Sequence, residues 1–426
     1  MVGTLTTMLE RISAPRLSRA LPPAGPQRAM VLSSFVNRVG NGLFNNASVL
    51  YFTRVVHLPA GQIGLGLSIA GLIGLLAGVP AGELADRRGP RAVVLLTLAV
   101  QTATMVAFLF VHSWAAFTAI ATLDLLALSA NNAARGALIA RIGGERPAEF
   151  RARLRTFVNV GVVLGTSGAA VAVQLDTRAA YAALILLNAA SYLGCGLLLL
   201  RVPSCPPLPR PAAEGRWTAL RDKPFALIAA VDGAMGLQYP VASLLLPLWL
   251  AQHTPVPRWT VAAVAALNSL CCVAFQIPIG SRVRTPGDGG LALRHAGLLF
   301  LLSCPLMALT ADLPPWEAVL LVVPAMAAHS LGEVWQSSGN FALGFGLAPE
   351  HAQGQYQGLL GLSFDIGQAL APALLTTVCL GLGQLGWLLL GVFFALLGLL
   401  GPPLAAWAVR TRPGGAGALA GAAAGG

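Results

Sequence analysis

Apolar residues in this chain fall in long blocks, broken by short stretches of arginine, proline and glycine. They show neither the alternation of a half-buried strand nor the single stripe of a soluble helix. An α-helix rises 1.5 Å per residue, so about 20 apolar residues cross a hydrocarbon core of ~30 Å. Twelve blocks meet that length: 31–53, 62–85, 92–111, 114–137, 156–175, 179–200, 225–251, 260–280, 294–311, 316–339, 356–378 and 384–408. Only helices and closed barrels satisfy their backbone groups inside lipid. The pattern therefore predicts an all-α integral membrane protein with twelve transmembrane helices.

Composition sharpens this. Of 426 residues 56% are hydrophobic and 10% charged, against roughly 25% charged in a soluble domain. The net charge of +11 raises the question of nucleic acid, but such a surface needs clustered cations on a soluble face. Here apolar runs separate the cations, so no nucleic-acid partner is expected. The longest polar stretch, Val202 to Lys223, is well short of the ~50 residues of a domain. Lys223, the one lysine, stands in RDKP without a glycine-rich loop before it, which excludes a nucleotide-driven pump. No nucleophile–base pair and no ligand set appears at a usable spacing, so neither an enzyme, a metal site nor a cofactor is expected. The cysteines (Cys195, Cys205, Cys271, Cys272, Cys304 and Cys379) lack CxxC pairing and mostly lie in apolar runs, as small packing residues do.

Charge also orients the chain, because cytoplasmic loops collect Lys and Arg. With the N-terminus inside, 23 of the 27 cations fall on inner segments, and only Arg54, Arg178 and Arg258 fall outside. Arg38 lies within the first span. Both termini are thus expected in the cytoplasm and the chain in the cell membrane, acting as a monomer. Residues 1–29 read as a cytoplasmic tail rather than a cleavable signal, and 410–426 as a disordered Gly/Ala tail. GELADRRGPR at Gly82–Arg91 has a counterpart in GSRVRTPGDG at Gly280–Gly289, 198 residues on. Two pseudo-repeated six-helix halves, 30–201 and 224–409, joined by a central cytoplasmic loop at 202–223, explain this offset.

GELADRRGPR resembles the signature loop of the major facilitator superfamily, through Gly82, Leu84, Asp86, Arg87, Gly89 and Arg91. The resemblance implies a cytoplasmic gate. Asp86 would meet the start of the eleventh helix near Gln355–Gly358, and Arg135 at the end of the fourth. In the second copy Arg284 stands where the acid should be. The fifth span, with Gly161, Gly165 and Gly168, resembles the glycine-rich helix of proton-coupled drug exporters, although Thr166 replaces the expected proline.

Ionisable groups within hydrocarbon are costly and point to function. They are Arg38 in span one, Asp124 in span four, Asp232 in span seven, His329 and Glu333 in span ten, and Asp365 in span eleven. Helical spacing extends them into polar faces: Arg38, Asn41, Asn45 and Ser48; Asp124, Leu128, Asn131 and Arg135; Asp232, Gly236 and Tyr239; His329, Glu333, Gln336 and Asn340. By the resemblance, spans one, four, seven and ten line a central cavity. Such stripes also arise where packed helices satisfy one another. A cation beside Asp124 would hold it ionised, and Arg38 is placed to do so. Asp232, Glu333 or Asp365 then become the better proton carriers.

The expected function is secondary active transport by alternating access, with proton-driven efflux of a small amphiphilic organic solute. The alternative is proton symport that imports a metabolite, with Arg38 binding its anionic group. A membrane protein on this fold that does not transport is the remaining reading.

Overall fold

The computed structural model describes residues 21–45, 48–209, 217–257 and 259–412. Residues 1–20 and 413–426 of the two tails, together with Arg210, Arg216 and Arg258, lie outside the described residues. Twelve long helices follow in order: α1 (Pro26–Asn45), α2 (Gly61–Arg88), α3 (Pro90–Phe108), α4 (Trp114–Ile142), α5 (Pro147–Leu175), α6 (Arg178–Leu199), α7 (Lys223–His253), α8 (Trp259–Gly280), α9 (Pro286–Ala308), α10 (Pro315–Gly346), α11 (Glu350–Leu380) and α12 (Gln384–Arg410). Eleven of them, α2 to α12, are individually long and apolar enough to cross a membrane. The more polar α1 crosses beside them, packed against α5 and α6.

Local chemistry sets the helix ends. Ser113, Thr177 and Asp222 cap α4, α6 and α7 by accepting backbone N–H groups. Thr285 and Asp288 form a reciprocal capping box on α9. Such caps satisfy donors that the first turn leaves free. Gly89, at φ +90°, separates α2 from α3. At the far end, Asp176 closes α5 in a left-handed conformation and accepts bonds from Arg54 and Tyr181. Those bonds, the one from Arg54 foremost, hold its carboxyl below the usual range.

Packing reproduces the internal repeat. In the first half α1 packs on α5 and α6, α3 on α4 and α6, and α2 on α4. In the second, α7 packs on α11 and α12, α9 on α10 and α12, and α8 on α10. Each half has its own apolar core, one around Phe52, Phe117 and Tyr181, the other around Trp249, Phe300 and Trp387. Leu72, Leu76, Leu187 and Leu396 project outward and stay exposed, as a lipid-facing surface requires.

The halves meet along two seams, one of α11 against α2 and α4, the other of α5 against α8 and α10. These seams are also related by the repeat. Their side-chain contacts gather toward the end of the bundle that carries the arginine-rich loops.

Several helices outrun their apolar blocks. α5 starts at Pro147 rather than 156, because Pro147 at the first position and Glu149 in the first turn start a helix well. Arg151, Arg153 and Arg155, expected in a loop, therefore occupy its first turns. α4 runs on to Ile142, placing Arg135 seven residues inside its end.

Candidate functional site

At the first seam, Asp86 reaches from α2 to the start of α11. Its Oδ1 accepts the Gly354 N–H at 2.8 Å and its Oδ2 the Gln355 N–H at 3.1 Å. A carboxylate here meets the positive end of the helix dipole. Gln355 also donates its side-chain amide to Glu83, whose other oxygen takes Arg87 Nε at 2.5 Å. The backbones nearly touch: a Cβ on Gly82 would lie 2.1 Å from the Gly354 carbonyl oxygen. A Cβ on Gly358 would lie 2.5 Å from that of Gly78. Gly89 lies against the Cys205 carbonyl, and Arg91 binds the Leu199 and Leu200 carbonyls at the end of α6.

Arg135 departs from the expected gate. Its guanidinium faces Ser33 and Ser34 of α1 and Cys195 of α6, at 3.1–3.4 Å, rather than Asp86. Its neighbour Gly136 packs on Gln357 of α11, so Arg135 itself is turned away from that seam, toward α1 and α6.

The second seam has a different chemistry. Gly280 packs on Ala152, with a built Cβ 2.5 Å from the alanine methyl. Arg284 takes no part in capping α5; its backbone N–H binds Asp288 and its Nε the Ser281 carbonyl. Deeper in, Arg155 of α5 forms an ion pair with Glu333 of α10 at 3.2 Å and lies over the Tyr239 ring at 5.2 Å. Arg151, one turn away, lies over Phe341 at 5.7 Å. Sequence reasoning missed Glu83, Arg151 and Arg155. The i, i+4 spacing of the two arginines was the available signal for an inward face.

Within the first half, most of the polar stripe is spent on neighbours. Asp124 accepts from Thr104 at 2.7 Å, and Asn131 donates to Thr97 at 2.7 Å, both on α3. Asn41 accepts from Tyr192 of α6 at 2.7 Å. The expected Arg38–Asp124 pair does not form; among the described residues Arg38 makes no hydrogen bond or ion pair, and it keeps accessible surface. Asn45 is exposed at the opposite end of α1. Gly161 and Gly165 lie against the α1 backbone, the latter with a built Cβ 2.3 Å from the Val39 carbonyl oxygen. Close packing accounts for these glycines without an exporter motif.

In the second half α7 is interrupted. Its regular turns stop at Met235 and resume at Leu246 after a widened segment at Val241–Leu245. Gln368 binds the freed Gly236 carbonyl at 2.9 Å, and His329 Nε2 donates to that of Gln238 at 3.1 Å. His329 is fully buried, so it braces the break instead of lining a cavity. Asp232 beside the break takes the Gln336 amide on one oxygen at 2.6 Å and the Asn340 amide on the other. Tyr239 donates to Gln336 at 3.2 Å. Glu333, expected without a cation nearby, has Arg155; among the described residues Asp232 has neutral donors alone. Asp365 is half-buried and makes no hydrogen bond among the described residues.

Residues 30–372 match the family model of the Major Facilitator Superfamily. The chain belongs to this superfamily. No curated protein matches its sequence. Among solved structures it resembles a bacterial homologue of the iron transporter ferroportin in its outward-facing state, at 14% identity and a TM-score of 0.70, covering 91% of this chain and 100% of that one. The Escherichia coli fucose:proton symporter superposes with a TM-score of 0.67 at 15% identity, over 89% and 98%. The human organic anion transporter MFSD10 does so at 0.64 and 16%, over 90% and 99%. At such identities the likeness is one of fold. Major facilitator proteins are membrane transporters and generally not enzymes, and the polar centre between α1, α4, α5, α7 and α10 lies where the two halves meet.

Proposed function

We propose that this protein is a secondary active transporter of the cell membrane that moves a small organic solute by alternating access. The observation that carries the reading is the bond from Asp86 to the α11 N-terminus. It joins two halves that each retain a core, so the joint can open without unfolding either one. The arginine-rich end is the cytoplasmic one, with both termini there, and the conformer is then closed inward and open outward. The protein works as a monomer around one midplane site.

Without a nucleotide site the energy comes from a gradient: ~2.3 kcal/mol per charge at 100 mV and ~1.4 per pH unit. Asp232 is the proton carrier of this reading. Both its oxygens are held by amides that serve the ionised and, after a small rotation, the protonated form, and it adjoins the α7 break. Tyr239, Phe364 and Trp335, all partly exposed, suit an amphiphilic solute, and proton-driven export is the direction proposed. Import by symport is the second reading, favoured by Arg38, which has no partner among the described residues.

Inside-out vesicles with an acidic lumen test this. On addition of each member of a solute panel, an antiporter releases protons to the medium, a symporter moves them the other way, and a protein that does not transport moves none. Asp232→Asn is expected to lower gradient-driven transport at least tenfold while solute exchange without a gradient persists. Full driven transport in that variant removes Asp232 as the carrier.

A further inference from the structure

We propose that the polar centre binds a small organic anion, one carrying a carboxylate, phosphate or sulfonate, through Arg38, Arg151 and Arg155; this deepens the transport reading above and rests on it. Four guanidinium groups, those three and Arg135, lie near enough to feel one another's repulsion. Along their helices they stand at roughly 6 Å (Arg151), 10 Å (Arg135), 12 Å (Arg155) and 18 Å (Arg38) from the arginine-rich end. They thus form a column from the closed gate toward the midplane. Among the described residues, the one carboxylate that bonds any of them is Glu333, on Arg155. Asp124 and Asp232 are engaged by neutral donors instead.

The donors are also incompletely used. Arg38 makes no hydrogen bond among the described residues, and the Nε–H groups of Arg135 and Arg155 are buried without an acceptor. Clustered cations inside a bilayer are costly unless counter-charge is supplied, and among the described residues one acid bonds any of the four arginines. Guanidinium forks match carboxylate and phosphate oxygens in pairs. The Tyr239 ring beneath Arg155, the Phe364 ring 5.6 Å from it, and the Phe341 ring beneath Arg151 offer an apolar bed for the rest of the molecule. A cationic solute or a metal ion is repelled by the same column. Glu333 then acts as the resident anion that a solute must displace from Arg155.

Equilibrium binding to the purified full chain in dodecyl maltoside micelles tests the site with probes of one skeleton: phenylphosphate, benzenesulfonate, benzoate, benzyl alcohol and benzylammonium. At least one anion should bind tenfold or more tightly than benzyl alcohol, and benzylammonium should not bind. Arg38→Gln and Arg151→Gln should each weaken that anion about tenfold. Glu333→Gln should strengthen it threefold or more by freeing Arg155, a gain that a purely structural ion pair would not produce. Each variant is compared only where it keeps the wild-type elution profile and thermal transition. No anion preference, equal binding of benzylammonium, or weaker binding in Glu333→Gln overturns the proposal. So does Arg38-dependent binding of phosphatidylglycerol in nanodiscs with no soluble anion bound, which assigns the column to a lipid headgroup. The readout needs no transport: absent binding sinks the anion site, whereas anion binding without vesicle transport sinks the carrier reading.

Discussion

The two seams between the halves are equivalent by the internal repeat, yet they close by different means. Where α2 meets α11, backbone meets backbone at paired glycines and a part-buried carboxylate caps a helix end near the arginine-rich end. Where α5 meets α8 and α10, the acid is replaced by Arg284, the glycine meets an alanine methyl, and the polar tie has moved deeper, to Arg155 and Glu333. The first seam is thus a latch that touches nothing in the centre. The second holds its tie within the column of arginines, where anything bound there must compete with it. The repeat preserved the geometry of closure and changed what closure senses.

The largest effect should come from filling the glycine seam. A Cβ on Gly82 would stand 2.1 Å from a backbone oxygen of Gly354, and backbone of two packed helices cannot yield locally. Overpacking of this kind costs about 1–3 kcal/mol, and with backbone on both sides the upper figure applies, roughly a hundredfold in the closed population. Gly82→Ala should therefore shift spin-label distances across the arginine-rich end to the open value and reduce transport by a similar factor. A wild-type distance distribution in this variant would show that the latch is not limiting.

Asp86→Asn should do less. The amide oxygen still accepts one of the two N–H groups, and what is lost is the charge facing the helix dipole, worth about 1 kcal/mol when partly buried. That is roughly a fivefold change in the closed-to-open ratio. Turnover should fall by about this factor with solute affinity unchanged. Lost affinity would move Asp86 from the latch to the binding site and erase the contrast between the seams.

How legible each seam was in the sequence follows the same division. Long apolar blocks made the twelve helices and their repeat readable, and the resemblance of GELADRRGPR to the superfamily's signature loop located Asp86 opposite α11, 268 residues away. The second seam was hidden by its own arginines. Three of them within five residues read as a cytoplasmic loop, and only the helix start at Pro147 turns Arg151 and Arg155 inward. Polar stripes misled in the other direction. Asn41, Asp124 and Asn131 share the spacing of a cavity face, yet Tyr192, Thr104 and Thr97 on the neighbouring peripheral helices take them up. Spacing places a side chain on a face; the partner across that face decides whether it is spent on packing or left for a ligand. Arg38, on the same helix as Asn41, has no such partner among the described residues.

The sharpest contrast, with an effect no larger than that of Asp86→Asn, concerns the glycine of the second seam. A Cβ on Gly280 would stand 2.5 Å from the Ala152 methyl, so the obstacle is one side chain instead of a backbone. Gly280→Ala should cost about 1 kcal/mol of closure, at the low end for overpacking, and slow transport severalfold. Adding Ala152→Gly moves the methyl from one helix to the other and should restore both the spin-label distances and most of the rate. No such exchange can rescue Gly82→Ala, because its neighbour Gly354 is already a glycine and the clash is with its carbonyl. If the Gly280→Ala, Ala152→Gly pair stays as slow as the single variant, the second seam is as rigid as the first. The distinction drawn between a backbone latch and a side-chain tie would then fail.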